Sequence, residues 1–91
     1  MRTKNRQIWK FQFPVQDDIE IEMPMDAEVL HVEVQGEMPC LWAQVDPSLP
    51  RVKRQFHLYG TGHHMHNTPQ QHVGSFQMHG GALVFHLFEV I

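Results

Sequence analysis

The sequence predicts an all-β fold, about seven short antiparallel strands forming a small β-sandwich or a partly open barrel. Three observations carry that prediction. Apolar and polar residues alternate with a period of two in one segment after another, as in IWKFQF and IEIEM. β-branched and aromatic residues are frequent in those segments. Turn signals, Gly36-Glu37 and Gly80-Gly81 among them, arrive roughly every eight to twelve residues. No stretch carries the 3.6-residue period of an amphipathic helix.

The strands can be paired by asking which register gives one apolar face. IWKFQF and IEIEM flank the loop PVQDD, and pairing them as a hairpin sets Phe13 against Ile19, Phe11 against Ile21 and Trp9 against Met23. Lys10 then faces Glu22 and Gln12 faces Glu20 on the solvated side. EVLHVEVQGEMPCLWAQV folds about Gly36-Glu37, a glycine-first pair suited to a type II′ turn. That register sets Val34 against Pro39, Val32 against Leu41 and Leu30 against Ala43, with His31 opposite Trp42 and Glu33 opposite Cys40 on the other face. RVKRQFHLYG supplies a further strand with Val52, Phe56 and Leu58 on one side. QHVGSFQMHGGALVFHLFE closes on Gly80-Gly81, the pair preferred by a type I′ turn. It brings Phe76 to Phe85, Met78 to Leu83, Gly74 to Leu87, Ser75 to His86 and His72 to Glu89.

Ninety-one residues make one domain, 1–91. The lone Cys40 excludes an intrachain disulfide and any cysteine-based zinc finger, and suits a reducing compartment. MRTKNRQIWKF has no apolar run fit for a signal peptide, and no segment approaches the length of a membrane span. A soluble cytoplasmic protein without a cofactor is the expectation.

Charge is unevenly spread. The seven basic residues form two clusters, Arg2, Lys4, Arg6 and Lys10, then Arg51, Lys53 and Arg54. Nine of the ten acids lie between Asp17 and Asp46. From Gln55 to Ile91 only Glu89 carries a formal charge, yet seven of the eight histidines are there. A domain surface is normally richer in Lys and Glu, so this region is expected to be buried or covered by another chain. The expected cover is a protein partner or a second copy of the chain in a homo-oligomer.

Four groups of residues could carry chemistry. The long loop GTGHHMHNTPQ places His64 and His66 two apart, and a third ligand, His72 or His57, would complete a set for zinc, nickel or copper. The cupin metal motif needs an acid shortly after such a pair, where Gln70 and Gln71 stand here, so a cupin is not supported. The ordinary reading is a surface loop whose imidazoles make polar contacts. Second, Arg51 and Arg54, the loop backbone at Gly62, His63 and His64, and the side chains of Ser75, Gln77 and His86 could hold a small anion such as a nucleotide. Overall acidity argues against nucleic acid, and the simpler reading pairs these basics with the acidic segment 17–46 across strands. Third, His31 and Trp42 with Glu33 and Cys40 would be an exposed sheet face without a cleft or an oxyanion hole, closer to packing than to a nucleophile. Fourth, His72 opposite Glu89 reads as a structural contact, and Ser75 opposite His86 lacks the acid of a triad.

PCLWAQVDP, LYGTGH and GSFQMHGGALVFHLFEV resemble a family of small uncharacterised proteins of tailed bacteriophages and prophages. The resemblance implies a phage accessory protein made in the bacterial cytoplasm, acting by binding as a host-protein inhibitor or anti-defence module, or decorating the virion. It carries no assigned activity. Together these observations predict a non-enzymatic binding module, with capture of a small anion and histidine-based metal binding or metal-dependent catalysis as alternatives.

Overall fold

The computed structural model describes residues 5–91; Arg2 and Lys4 of the N-terminal basic cluster lie outside them. Seven strands follow in order: β1 (Gln7–Gln12), β2 (Asp18–Pro24), β3 (Glu28–Gln35), β4 (Met38–Val45), β5 (Arg51–Gly60), β6 (Gln70–Met78) and β7 (Leu83–Val90). They form two antiparallel sheets, β1-β4-β3 and β2-β5-β7-β6, packed face to face without closing into a barrel. The fold is a small β-sandwich. Among the described residues no helix is long and apolar enough to cross a membrane.

The core follows from the alternation. Ile19, Ile21 and Met23 of β2, Leu41, Ala43 and Val45 of β4, and Phe56, Leu58 and Leu87 from the middle of the larger sheet point inward and are buried. Trp9 and Phe11 of β1 pack against this cluster from its margin. The charge-poor C-terminal region is thus covered in part by its own chain. Strands β5 and β7 are the interior strands of the larger sheet, and their inward side chains meet the smaller sheet. Gly74 shows how tightly: a Cβ there would stand 2.6 Å from a Val32 methyl, so only glycine lets β6 come this close to β3.

Three sequence-derived pairings are corrected. IWKFQF does not pair with IEIEM. It lies beside β4, with Trp9 opposite Ala43 and Phe11 opposite Leu41, while β2 lies beside β5 in the other sheet. Residues 13–17 cross between the sheets, and Phe13 N–H donates to Pro39 O at 3.1 Å. The apolar faces of β1 and β2 meet across the interior, an arrangement that separates the faces as well as a hairpin would. Second, a β-bulge at Leu30 puts Val29, not Leu30, opposite Ala43 and leaves Leu30 48% exposed. Third, a bulge at Val73 puts His72 opposite Phe88, and Gln71 takes the place opposite Glu89. The turn registers themselves hold. Gly36 has φ +66°, and Gly80 and Gly81 have φ +65° and +92°, the left-handed values of a type I′ turn. Ala82 N–H donates to His79 O across that turn at 3.2 Å.

Candidate metal centre

Moving β2 beside β5 has a chemical consequence, because it sets Asp18 directly opposite His57. Both project from the outer face of the larger sheet, as do Tyr59, His86, Phe88, His72, Ser75 and Gln77 by the same alternation. The long loop after β5 folds back over this face. His63 N–H donates to Gly60 O at 3.0 Å and Thr61 N–H to Val84 O at 3.1 Å, which reverses the chain. Gly60 makes room for the reversal, since a Cβ there would come within 2.9 Å of the His63 ring. Tyr59 is therefore only 7% exposed although it points away from the core.

The reversal delivers His66 to His57, with ring centroids 4.2 Å apart. Asp18 Oδ1 lies 3.4 Å from His57 Nε2 and 3.9 Å from His66 Nε2. One ligand atom from each of the three residues falls within 4.8 Å of the others, and among the described residues this is the group that could hold a metal ion. Ligands on a tetrahedral ion with bonds of about 2.1 Å stand about 3.4 Å apart, which the His57–Asp18 pair already meets. His66 Nε2 would have to close on Asp18 by roughly half an ångström, within the reach of a loop side chain. Exposure grades across the set: the side chain of His57 is 14% exposed, that of His66 56% and that of Asp18 72%.

Behind the ligands lies a second layer. His57 Nδ1 is 3.1 Å from Gln70 Oε1 and 3.1 Å from the Tyr59 hydroxyl oxygen. The Tyr59 hydroxyl donates to Gln70 Oε1 at 2.9 Å and accepts the His66 N–H at 3.1 Å, while Gln70 Nε2 donates to His66 O at 3.0 Å. Metal-binding histidines commonly have their remote nitrogen engaged in this way.

Of the residues singled out from sequence, His66 and His57 enter the cluster, whereas His64 is exposed and His72 lies instead against Ser75 and Phe88. Asp18 was missed. The only signal for it was the acidic run facing a basic strand, and Lys53 Nζ does meet Glu20 Oε2 at 3.7 Å in that register. The residues expected to hold an anion are only partly gathered, because the two arginines lie away from the Ser75–His86 face. Arg54 lies toward the interior edge, where Nε and Nη2 grip both Glu89 oxygens at 2.5 and 2.8 Å and Nη1 donates to Ala27 O. That bidentate contact raises the Arg54 pKa above its ordinary value, against the opposing effect of burial. Arg51 donates to the carbonyls of Pro47 and Leu49 and stacks over Trp9.

On the opposite face of the sheet from Arg54, His86 is clasped between Ser75 Oγ at 2.7 Å and Thr61 Oγ1 at 2.8 Å. Gly62, His63 and His86 line a shallow cleft of about 250 Å³ beside Tyr59 and Phe88, with no carboxylate on its wall. Gln77 lies farther along the face, near the Gly80-Gly81 turn. In the smaller sheet, His31 does face Trp42 and Glu33 does face Cys40, but Cys40 is buried and donates only to Met38 O.

A family described as "Domain of unknown function (DUF7352)" matches residues 4–91. The chain belongs to that family. No curated protein and no solved structure matches the chain.

Proposed function

We propose that this DUF7352 protein is a non-enzymatic binding module whose site takes a divalent transition-metal ion on Asp18, His57 and His66. The observation that carries the reading is the convergence of two imidazoles and a carboxylate, from β5, the long loop and β2, on one point of the sheet face. Two nitrogens and one oxygen suit zinc, cobalt or nickel, whereas calcium and magnesium prefer an all-oxygen set. A carboxylate offsets part of the ion's charge, and the fourth tetrahedral position is left to water or an outside ligand. The Ser75–His86 pair supports binding over hydrolysis, since no carboxylate orients the imidazole and Thr61 takes that position. The likeness to small phage and prophage proteins supports an accessory role in the bacterial cytoplasm.

The test is elemental analysis of untagged protein equilibrated with zinc, cobalt or nickel and then freed of loose metal. Stoichiometric metal is expected in the wild type and its loss in Asp18→Ala. Metal well below stoichiometry, together with a melting temperature indifferent to chelator, would overturn the reading.

A further inference from the structure

Tyr59 and Gln70 belong to neither the core nor the ligand set, yet both touch two of the three ligands. The protons on this network can be assigned one by one. The His66 backbone N–H can only donate, so the Tyr59 oxygen accepts it. The His66 carbonyl can only accept, so the Gln70 group facing it at 3.0 Å is the NH2. A flipped amide would set two oxygens against each other. Gln70 Oε1 therefore points back toward Tyr59 and His57, and it too can only accept.

The one hydroxyl proton of Tyr59 goes to Gln70 Oε1 at 2.9 Å. If it turned to His57 instead, Oε1 would face two lone pairs with no proton between. His57 Nδ1, 3.1 Å from two filled acceptors, must then carry a hydrogen. In the neutral ring the lone pair falls on Nε2, the nitrogen that faces Asp18 at 3.4 Å. A lone pair aimed at a carboxylate oxygen is repulsive unless a proton or a metal ion stands between them, and with the ring neutral the place is open to a metal ion.

We propose that Tyr59 and Gln70 are the positioning residues of the metal centre, an inference that rests on the metal-binding reading above. They hold His57 in the tautomer whose Nε2 can bind metal, and they seat His66 through both its N–H and its carbonyl. One buried hydroxyl and one amide thus orient ligands that lie nine residues apart in the chain. The loop is preorganised over the sheet, and the ion has less of it to order on arrival.

Two measurements test this. Imidazole nitrogen-15 NMR on the metal-free wild type should show His57 with hydrogen on Nδ1 when the ring is neutral. Zinc titration should show Tyr59→Phe and, separately, Gln70→Ala weakening affinity about 10- to 100-fold, the range expected for groups that orient ligands. Melting temperatures of the metal-free variants report the merely structural cost, which would leave the tautomer unchanged. Gln70 is less buried than Tyr59 and keeps the test open if Tyr59→Phe folds poorly. Wild-type protein that binds zinc while both variants bind equally well overturns the positioning role alone, as does an Nε2–H ring in the wild type. Wild-type protein that fails to bind zinc overturns the metal reading and this inference together.

Discussion

The outer faces of the two sheets offer the same pair of groups at the same separation. On the smaller sheet His31 Nε2 lies 3.4 Å from Glu33 Oε1; on the larger, His57 Nε2 lies 3.4 Å from Asp18 Oδ1. Their surroundings differ. His31 and Glu33 stand two apart on one strand, 61% and 66% exposed, with Trp42 at 6.0 Å as the nearest ring. Water screens such a pair, and its geometry is loosely held. His57 is 14% exposed, bonded from behind by Tyr59 and Gln70, and joined by a second imidazole on a loop folded over the sheet. A distance alone does not make a site. The supporting hydrogen bonds and the covering loop are what set the candidate ligand group apart from a surface contact.

Zinc should separate the two faces most sharply. At about a hundred times its Kd, a bound ion stabilises the folded chain by about 2.7 kcal/mol. His31→Ala should retain that increment in thermal unfolding and His57→Ala should lose it. Equal increments in the two variants would erase the distinction between the faces.

A slightly smaller effect is expected where a carboxylate is gripped at the sandwich edge instead of standing in water. Replacing Glu89 by Gln should cost about 1.5–3 kcal/mol in urea unfolding, because charge-assisted bonds to a part-buried guanidinium are lost. Glu33→Gln should stay within about 0.5 kcal/mol. The sign of the Arg54 shift sets the pH behaviour. A raised pKa means the stabilisation is present below the ordinary guanidinium value and fades only as pH climbs through the folded value. On the Arg54 side the cost of Glu89→Gln should therefore be unchanged between about pH 6 and 9. A cost that vanished by the upper end would contradict this account.

The smallest expected change is at His64, two residues before the loop histidine of the proposed site but exposed. His64→Ala should alter zinc affinity by no more than about twofold, in keeping with an exposed substitution that removes no contact. A loss as large as that of His57→Ala would move the site along the loop.

Much of the fold was legible because strand periodicity states which side of each segment is wet. The hairpins about Gly36 and Gly80-Gly81 were readable for a second reason: short loops leave the chain little choice of neighbour. The partner of β1 was not readable. Trp9, Phe11 and Phe13 ask only for an apolar surface, and β2 beside them or β2 across the core supplies it equally well. Both bulges were invisible for a related reason, since one extra residue flips a local face without changing composition. The site inherited these gaps. His66 could be suspected from its spacing in HHMH, and His57 named as one candidate third ligand, but Asp18 depended on the strand pairing that the hairpin argument misplaced.

The order of residues alone determined that this chain makes strands, where two of its turns fall, and that imidazoles replace ionic side chains in its last third. Those are local properties, set by side-chain alternation and by glycine's access to left-handed backbone angles. Tertiary structure decided which strands became neighbours, and so which carboxylate met which histidine. Strand pairing depends on burying apolar faces of the whole chain at once, and several local patterns satisfy that demand equally until the two sheets close on each other.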